Sequence, residues 1–189
     1  MIVTQYDLMQ RIANIKLVAL DVDGTFTDGR LYYDADGRVL KGFSAQDGMG
    51  LQLLRRAGVK RGFITGRHDR ATEARVNYLE ADFYKPSVGD KAEVLAQLAE
   101  EYGITLDECL FAGDDLNDLT GLRAAGVSIA VANAVPAIKQ YVDYITDSTG
   151  GSGAVREIVE LILEAKGVDS VELWLSDKDT PVGKYKVIQ

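Results

Sequence analysis

Apolar and polar positions follow two rhythms along the chain. Short, nearly continuous apolar runs fall at residues 17–20, 59–64, 82–84, 109–112, 127–131 and 144–145. Their length and β-prone composition predict buried strands. Amphipathic stretches lie between them, at 49–57, 70–78, 90–102, 118–125 and 136–141, with one before the first run (6–14) and one after the last (154–165). Strand–helix alternation of this kind predicts an α/β fold: a doubly wound, mainly parallel, Rossmann-like sheet with helices on both faces. Ligands of such sheets bind beyond the carboxyl ends of the strands.

Two segments depart from the alternation. Leu31-Tyr32-Tyr33 and Arg38-Val39-Leu40 flank Asp34-Ala35-Asp36-Gly37, a turn between two β-prone runs, which predicts a hairpin within 29–43 projecting from the sheet as a flap. After Gly167, Val171-Glu172-Leu173-Trp174-Leu175 is expected to add a strand, and residues 177–186 read as mobile. The expected organisation is one domain over 1–166 and a C-terminal tail over 167–189.

The 189 residues, 47% hydrophobic and 26% charged, are those of a globular protein with a sizeable core. A formal net charge of −8 argues against nonspecific nucleic-acid binding. It leaves open an anionic substrate held by local cations. The single cysteine, Cys109, fits a reducing compartment and reads as a small core residue. No run is long and apolar enough for a bilayer, and the first residues lack signal-peptide character, so a cytoplasmic location is expected.

The chemistry gathers at strand ends. Asp21-Val22-Asp23-Gly24-Thr25 follows the first apolar run and sets two carboxylates two residues apart, on the same side of an extended chain. Acids so close call for a cation between them, and a hard divalent metal is the usual one. Gly24 and Thr25 then turn the chain and offer backbone N–H groups to an anion. Further along come Ile64-Thr65-Gly66-Arg67, Gly89-Asp90-Lys91, Gly113-Asp114-Asp115-Leu116-Asn117-Asp118 and Gly150-Gly151-Ser152-Gly153. His68 is the only histidine, which excludes a histidine-based metal cluster or triad.

In this order these motifs resemble the haloacid dehalogenase superfamily of aspartate-nucleophile phosphotransferases. The hairpin, the lack of room for a cap domain, and Phe43-Ser44-Ala45-Gln46-Asp47-Gly48-Met49-Gly50 narrow the resemblance to its capless sugar-acid phosphatases. Such enzymes act on 3-deoxy-D-manno-octulosonate 8-phosphate, and close relatives act on nine-carbon sialic-acid-type sugar phosphates. The resemblance implies Asp21 as nucleophile and Asp23 as proton shuttle, with Thr65 and Lys91 on the transferring phosphoryl group. Mg²⁺ would be held by Asp21, the Asp23 carbonyl and Asp114. Asp115 and Asp118 would orient metal waters or Lys91, or stand simply as helix-start acids.

Substrate contacts implied by the same resemblance are Asp23, Ser44, Ala45, Gln46, Asp47, Gly48, Arg67, Arg75 and Lys91. It also implies a homotetramer built through the hairpin flap. Gln46, Gln52 and Ser152 stand where octulosonate phosphatases usually carry basic residues, which leaves the eight- and nine-carbon sugars both open. A non-catalytic tetramerisation module is the reading from another class; the intact Asp21, Asp23, Thr65, Lys91 and Asp114 set opposes it.

Overall fold

The computed structural model describes residues 5–176. The chain runs α1 (Gln5–Ala13), β1 (Leu17–Leu20), β2 (Tyr32–Tyr33), β3 (Val39–Leu40), α2 (Ala45–Arg56), β4 (Lys60–Ile64), α3 (Arg70–Tyr78) and β5 (Phe83–Lys85). It continues through α4 (Lys91–Tyr102), β6 (Cys109–Gly113), α5 (Leu119–Ala124), β7 (Val127–Ala130), α6 (Pro136–Lys139), β8 (Tyr144–Ile145), α7 (Ala154–Ala165) and α8 (Ser170–Ser176).

Six strands form one parallel sheet in the order β5-β4-β1-β6-β7-β8, and β2 pairs with β3 in a separate antiparallel hairpin. Every residue of β1 is buried, as a parallel strand covered on both faces must be. Its alternation divides the core into two layers. Val18 and Leu20 point to the layer that contains Leu54 of α2 and Ile158 and Ile162 of α7. Leu17 and Ala19 point to the other, with Leu95 and Leu98 of α4 and Leu122 of α5. In α7 the buried residues Val155, Ile158, Val159, Ile162 and Leu163 recur at helical spacing and make one apolar stripe.

The strand order positions the site. The chain builds outward from β1 through β4 to β5, and α4 then returns it to β6 on the other side of β1. The direction of winding therefore reverses between β1 and β6, and a crevice opens at their carboxyl ends.

The hairpin forms as expected, its turn closed by Asp34 Oδ1, which accepts the Asp36 and Arg38 N–H groups at 2.9 and 2.8 Å. Tyr32, Tyr33 and Leu40 are exposed on it. Two expectations are corrected. Helix α2 begins at Ala45, not near residue 49, because the Ser44 hydroxyl caps it by accepting the Asp47 N–H at 3.2 Å. The segment after Gly167 forms helix α8, not a strand: Asp169 Oδ1 accepts the N–H groups of Val171 and Glu172 at 2.9 and 2.8 Å. Trp174 of α8 lies against the Arg56 guanidinium, 3.8 Å from the ring centre, and its carbonyl accepts from Arg56 Nη1 at 2.7 Å. Residues 177–186, expected to be mobile, lie outside the described residues. No helix among the described residues is long and apolar enough to cross a membrane.

Candidate active site

Asp21 stands one residue beyond β1 and is almost completely buried. The next residues form a wide turn, closed by the Thr27 N–H on the Val22 carbonyl at 2.9 Å. The buried Thr27 hydroxyl ties the turn together, donating to the Val22 carbonyl and accepting the Gly24 and Gly29 N–H groups. Gly24 has φ +105°, and a Cβ there would lie 2.1 Å from Asp114 Oδ2. Only glycine lets the β1 loop and the β6 loop approach so closely. Asn133 braces the turn from outside: its Nδ2 donates to the Gly24 carbonyl at 2.9 Å, while its Oδ1 accepts the Gly150 N–H at 2.6 Å. The glycine-rich 150–153 loop thus packs on the turn itself.

Lys91, at the start of α4, reaches into this crevice with its side chain 1% exposed. Its Nζ lies 2.5 Å from Asp21 Oδ1 and 2.5 Å from Asp118 Oδ1. The other Asp118 oxygen accepts the N–H groups of Asp114 and Asp115, at 2.8 and 3.1 Å. Asp118 therefore orients both Lys91 and the β6 loop. Asp115 is exposed and caps Leu116 N–H at 2.7 Å, as a helix-start acid does.

One oxygen from each of Asp21, Asp114 and Asp118 lies within 4.8 Å of the others. Three carboxylates share one ammonium, and Asp114 has no ion-pair partner among the described residues. Among the described residues its only side-chain donor is the Thr25 hydroxyl, at 3.3 Å. Burial, reinforced by the charge of Asp118, pushes Asp21 up to about 8 and Asp114 up to about 7. An all-oxygen cluster with surplus negative charge suits a hard divalent cation.

Asp23 turns to the other side of the loop. Lys41 Nζ lies 2.6 Å from its Oδ1, outside hydrogen-bonding angles, so the contact is an ion pair. Arg67 Nε is 3.7 Å from Oδ2. Thr65 follows β4, buried at the sheet's carboxyl edge, where its hydroxyl accepts the Arg67 N–H at 3.3 Å. Lys41 and Asn133 have no counterpart in the sequence motifs. One follows a short hairpin strand and the other sits in a loop, so neither carried a periodicity or spacing signal.

The remaining predicted contacts separate. Ala45 and Gln46 are exposed on the first turn of α2, after Ser44. Asp47 is fully buried and turned toward α7, where its oxygens accept the N–H groups of Gly153 and Arg156. Gly48 faces the Arg75 guanidinium, and Arg75 Nη2 donates to the Ser44 carbonyl at 3.1 Å. Arg67 precedes α3, whereas Arg75 lies within it against Phe43 and Tyr78, so the two do not share one helix face. Gln52 donates to the Leu79 carbonyl at 3.2 Å. Cys109 is buried in β6 with its thiol pushed up to about 11, as expected of a core residue.

Residues 81–158 match the haloacid dehalogenase-like hydrolase family. The chain is 36% identical over 164 residues to the 3-deoxy-D-manno-octulosonate 8-phosphate phosphatase of Haemophilus influenzae, covering 87% of this chain and 91% of that protein. It is 35% identical to the corresponding Escherichia coli K12 enzyme, over 85% and 86% of the two chains. The Moraxella catarrhalis phosphatase of the same name, solved with magnesium, phosphate and KDO, superposes with a TM-score of 0.86 at 38% identity, over 92% of this chain and 98% of that one. The chain therefore belongs to the haloacid dehalogenase-like hydrolases, within the 3-deoxy-D-manno-octulosonate 8-phosphate phosphatase family, and is a phosphoric monoester hydrolase.

Proposed function

We propose that this chain hydrolyses 3-deoxy-D-manno-octulosonate 8-phosphate to the free sugar acid and inorganic phosphate. The observation that carries the reading is the buried Asp21–Lys91–Asp118 arrangement, with Asp114 beside it and Asp23 held apart on the same loop. This separation supports assigning attack to Asp21 and proton transfer to Asp23. The relatives' names and the magnesium, phosphate and KDO bound to the Moraxella enzyme support the substrate and the metal.

In this reading Asp21, Asp114 and the Asp23 carbonyl hold Mg²⁺. The bound ion supplies the positive charge that lets a carboxylate approach a phosphate dianion. An Asp21 oxygen bonds to phosphorus as the bond from phosphorus to the sugar oxygen breaks, and Asp23 gives that oxygen its proton. Asp23 then takes a proton from water, whose oxygen bonds to phosphorus and releases Asp21. Lys91 and Thr65 bind the phosphoryl oxygens, and Asp118 keeps Lys91 in place. Arg67, on the rim beside Asp23, is the sugar-side cation the geometry favours.

Residues 1–166 form the catalytic unit in this proposal and 167–189 its tail. Association into a homotetramer through the hairpin belongs to the same proposal, supported by exposed Tyr32, Tyr33 and Leu40. So does a cytoplasmic setting, supported by the lone buried thiol of Cys109.

The test is phosphate release across eight- and nine-carbon sugar-acid phosphates and a 4-nitrophenyl ester, with and without Mg²⁺. The eight-carbon substrate should have the highest kcat/KM, and Asp21→Asn should abolish turnover. Preference for a nine-carbon substrate would overturn the sugar assignment. Absence of metal-dependent release from every ester would overturn the catalytic reading in favour of an assembly module.

A further inference from the structure

We propose that Lys41 is a positioning residue for the reaction: it fixes the Asp23 carboxylate in the orientation needed for proton transfer. This rests on the reading of Asp23 as the group that protonates the departing sugar oxygen.

Lys41 leaves the hairpin directly after β3, and its side chain is 1% exposed. Lysine is almost never fully buried without partners. Here three oxygens surround Nζ: Asp23 Oδ1 at 2.6 Å, Asp69 Oδ2 at 2.6 Å and Thr72 Oγ1 at 3.2 Å. Two of the three belong to a rigid support. Asp69 is the N-cap of α3, with Oδ1 accepting the Thr72 N–H at 2.9 Å and Oδ2 accepting the Thr72 hydroxyl at 3.0 Å. The ammonium is thus anchored on a helix start and presents its remaining charge to the loop after β1.

Asp23 has no comparable support of its own. Both of its carboxylate oxygens are buried, and neither has a hydrogen-bond partner among the described residues. Arg67 is 3.7 Å away on a side chain that is 60% exposed. Among the described residues, Lys41 is therefore the one cation within 3 Å of Asp23, and it selects the rotamer. By occupying Oδ1 it leaves Oδ2 to carry the proton passed to the leaving oxygen and recovered from water. Burying an ammonium between two carboxylates carries a desolvation cost that an apolar side chain of similar length would avoid. A role limited to packing does not call for the charge.

The test exploits the chemistry of the leaving group. An alkyl sugar oxygen needs a proton as it departs, whereas 4-nitrophenolate leaves readily without one. For Lys41→Met, kcat/KM on the sugar-acid phosphate should fall by about 100-fold, in the range of acid–base contributions. On 4-nitrophenyl phosphate it should fall by less than about 5-fold, because kcat/KM reports the steps up to phosphoenzyme formation. Lys41→Arg should recover part of the sugar-phosphate rate. An equal loss on both esters, or no loss on either, would overturn the inference. If Lys41→Met does not fold, Asp69→Asn reads the same point. It keeps the side-chain oxygen that caps α3 and removes the charge that anchors Lys41, so the same split between esters should follow, and a uniform loss would again refute it. Inactivity of the unaltered protein toward all phosphate esters would instead count against the underlying reading.

Discussion

The Asp47 carboxylate accepts the Arg156 main-chain N–H at 2.8 Å, so a side chain of α2 caps the first turn of α7. The residue is fully buried, and Gly153 N–H adds a longer bond at 3.3 Å. Asp47→Ala leaves these donors without a partner. We predict a loss of about 2 kcal/mol, equivalent to a Tm drop of about 4–8 °C for a chain of this size. KM for the sugar phosphate should stay unchanged. Thermal melts beside steady-state kinetics check this; a raised KM at constant Tm would make Asp47 a substrate contact.

Among the described residues, Lys91 is the only cation at hydrogen-bond distance from Asp21 and Asp118. Lys91→Met removes it and leaves the carboxylates buried, which should cost about 3–5 kcal/mol of stability and about 10³-fold in kcat. Mg²⁺ should raise the Tm of this variant more than that of the unaltered protein, because the ion then becomes the only neutralising charge in the crevice. An equal rise in both would show that the carboxylates and the ion do not share this site.

The raised carboxylates give the metal response a direction with pH. Without a divalent ion, folded Asp21 holds its proton up to about 8 and Asp114 up to about 7, while the unfolded chain releases both near 3.8. Their contribution to stability is greatest below that value and declines as pH rises toward 8, the reverse of an ordinary salt-bridged aspartate. On the ligand set proposed above, a divalent ion would displace the protons, so its binding should strengthen over the same range. The Tm increment given by Mg²⁺ should be larger at pH 8 than at pH 6. A constant increment would place the ion elsewhere.

Trp174 is the only tryptophan and packs under the Arg56 guanidinium. Arg56→Ala removes a contact worth about 0.5–1 kcal/mol together with the bond to the Trp174 carbonyl. Emission should shift to longer wavelength as α8 loosens, while turnover of 4-nitrophenyl phosphate stays unchanged. Unaltered emission would show that other contacts hold the helix.

The strands and the carboxylate cluster were legible because each carries a local signal. β1 and β6 are unbroken apolar runs, and each is followed directly by its acids. The start of α2 was not legible, because Gly48 and Gly50 suppress helical propensity there. The reason for Gly48 is tertiary: a Cβ would lie 2.4 Å from Arg75 Nη2. Residues 171–175 have strand-like composition, and only the cap from Asp169 discloses a helix. Lys41 and Asn133 were invisible for a related reason. Their partners, Asp69 with Thr72 and Gly24 with Gly150, are brought to them only by the complete fold.

The Thr25 hydroxyl and the Asp114 carboxylate that meet over Gly24 are 89 positions apart in the chain. The two strands that deliver them lie side by side, yet the hairpin, α2, β4, α3, β5 and α4 are all formed between them. On the ligand set proposed above, a chain still being synthesised would have no ion site until β6 emerges and inserts beside β1. Ion binding thus reports the pairing of β1 with β6, and resistance to proteolysis should rise with Mg²⁺ throughout the domain, well beyond the crevice itself.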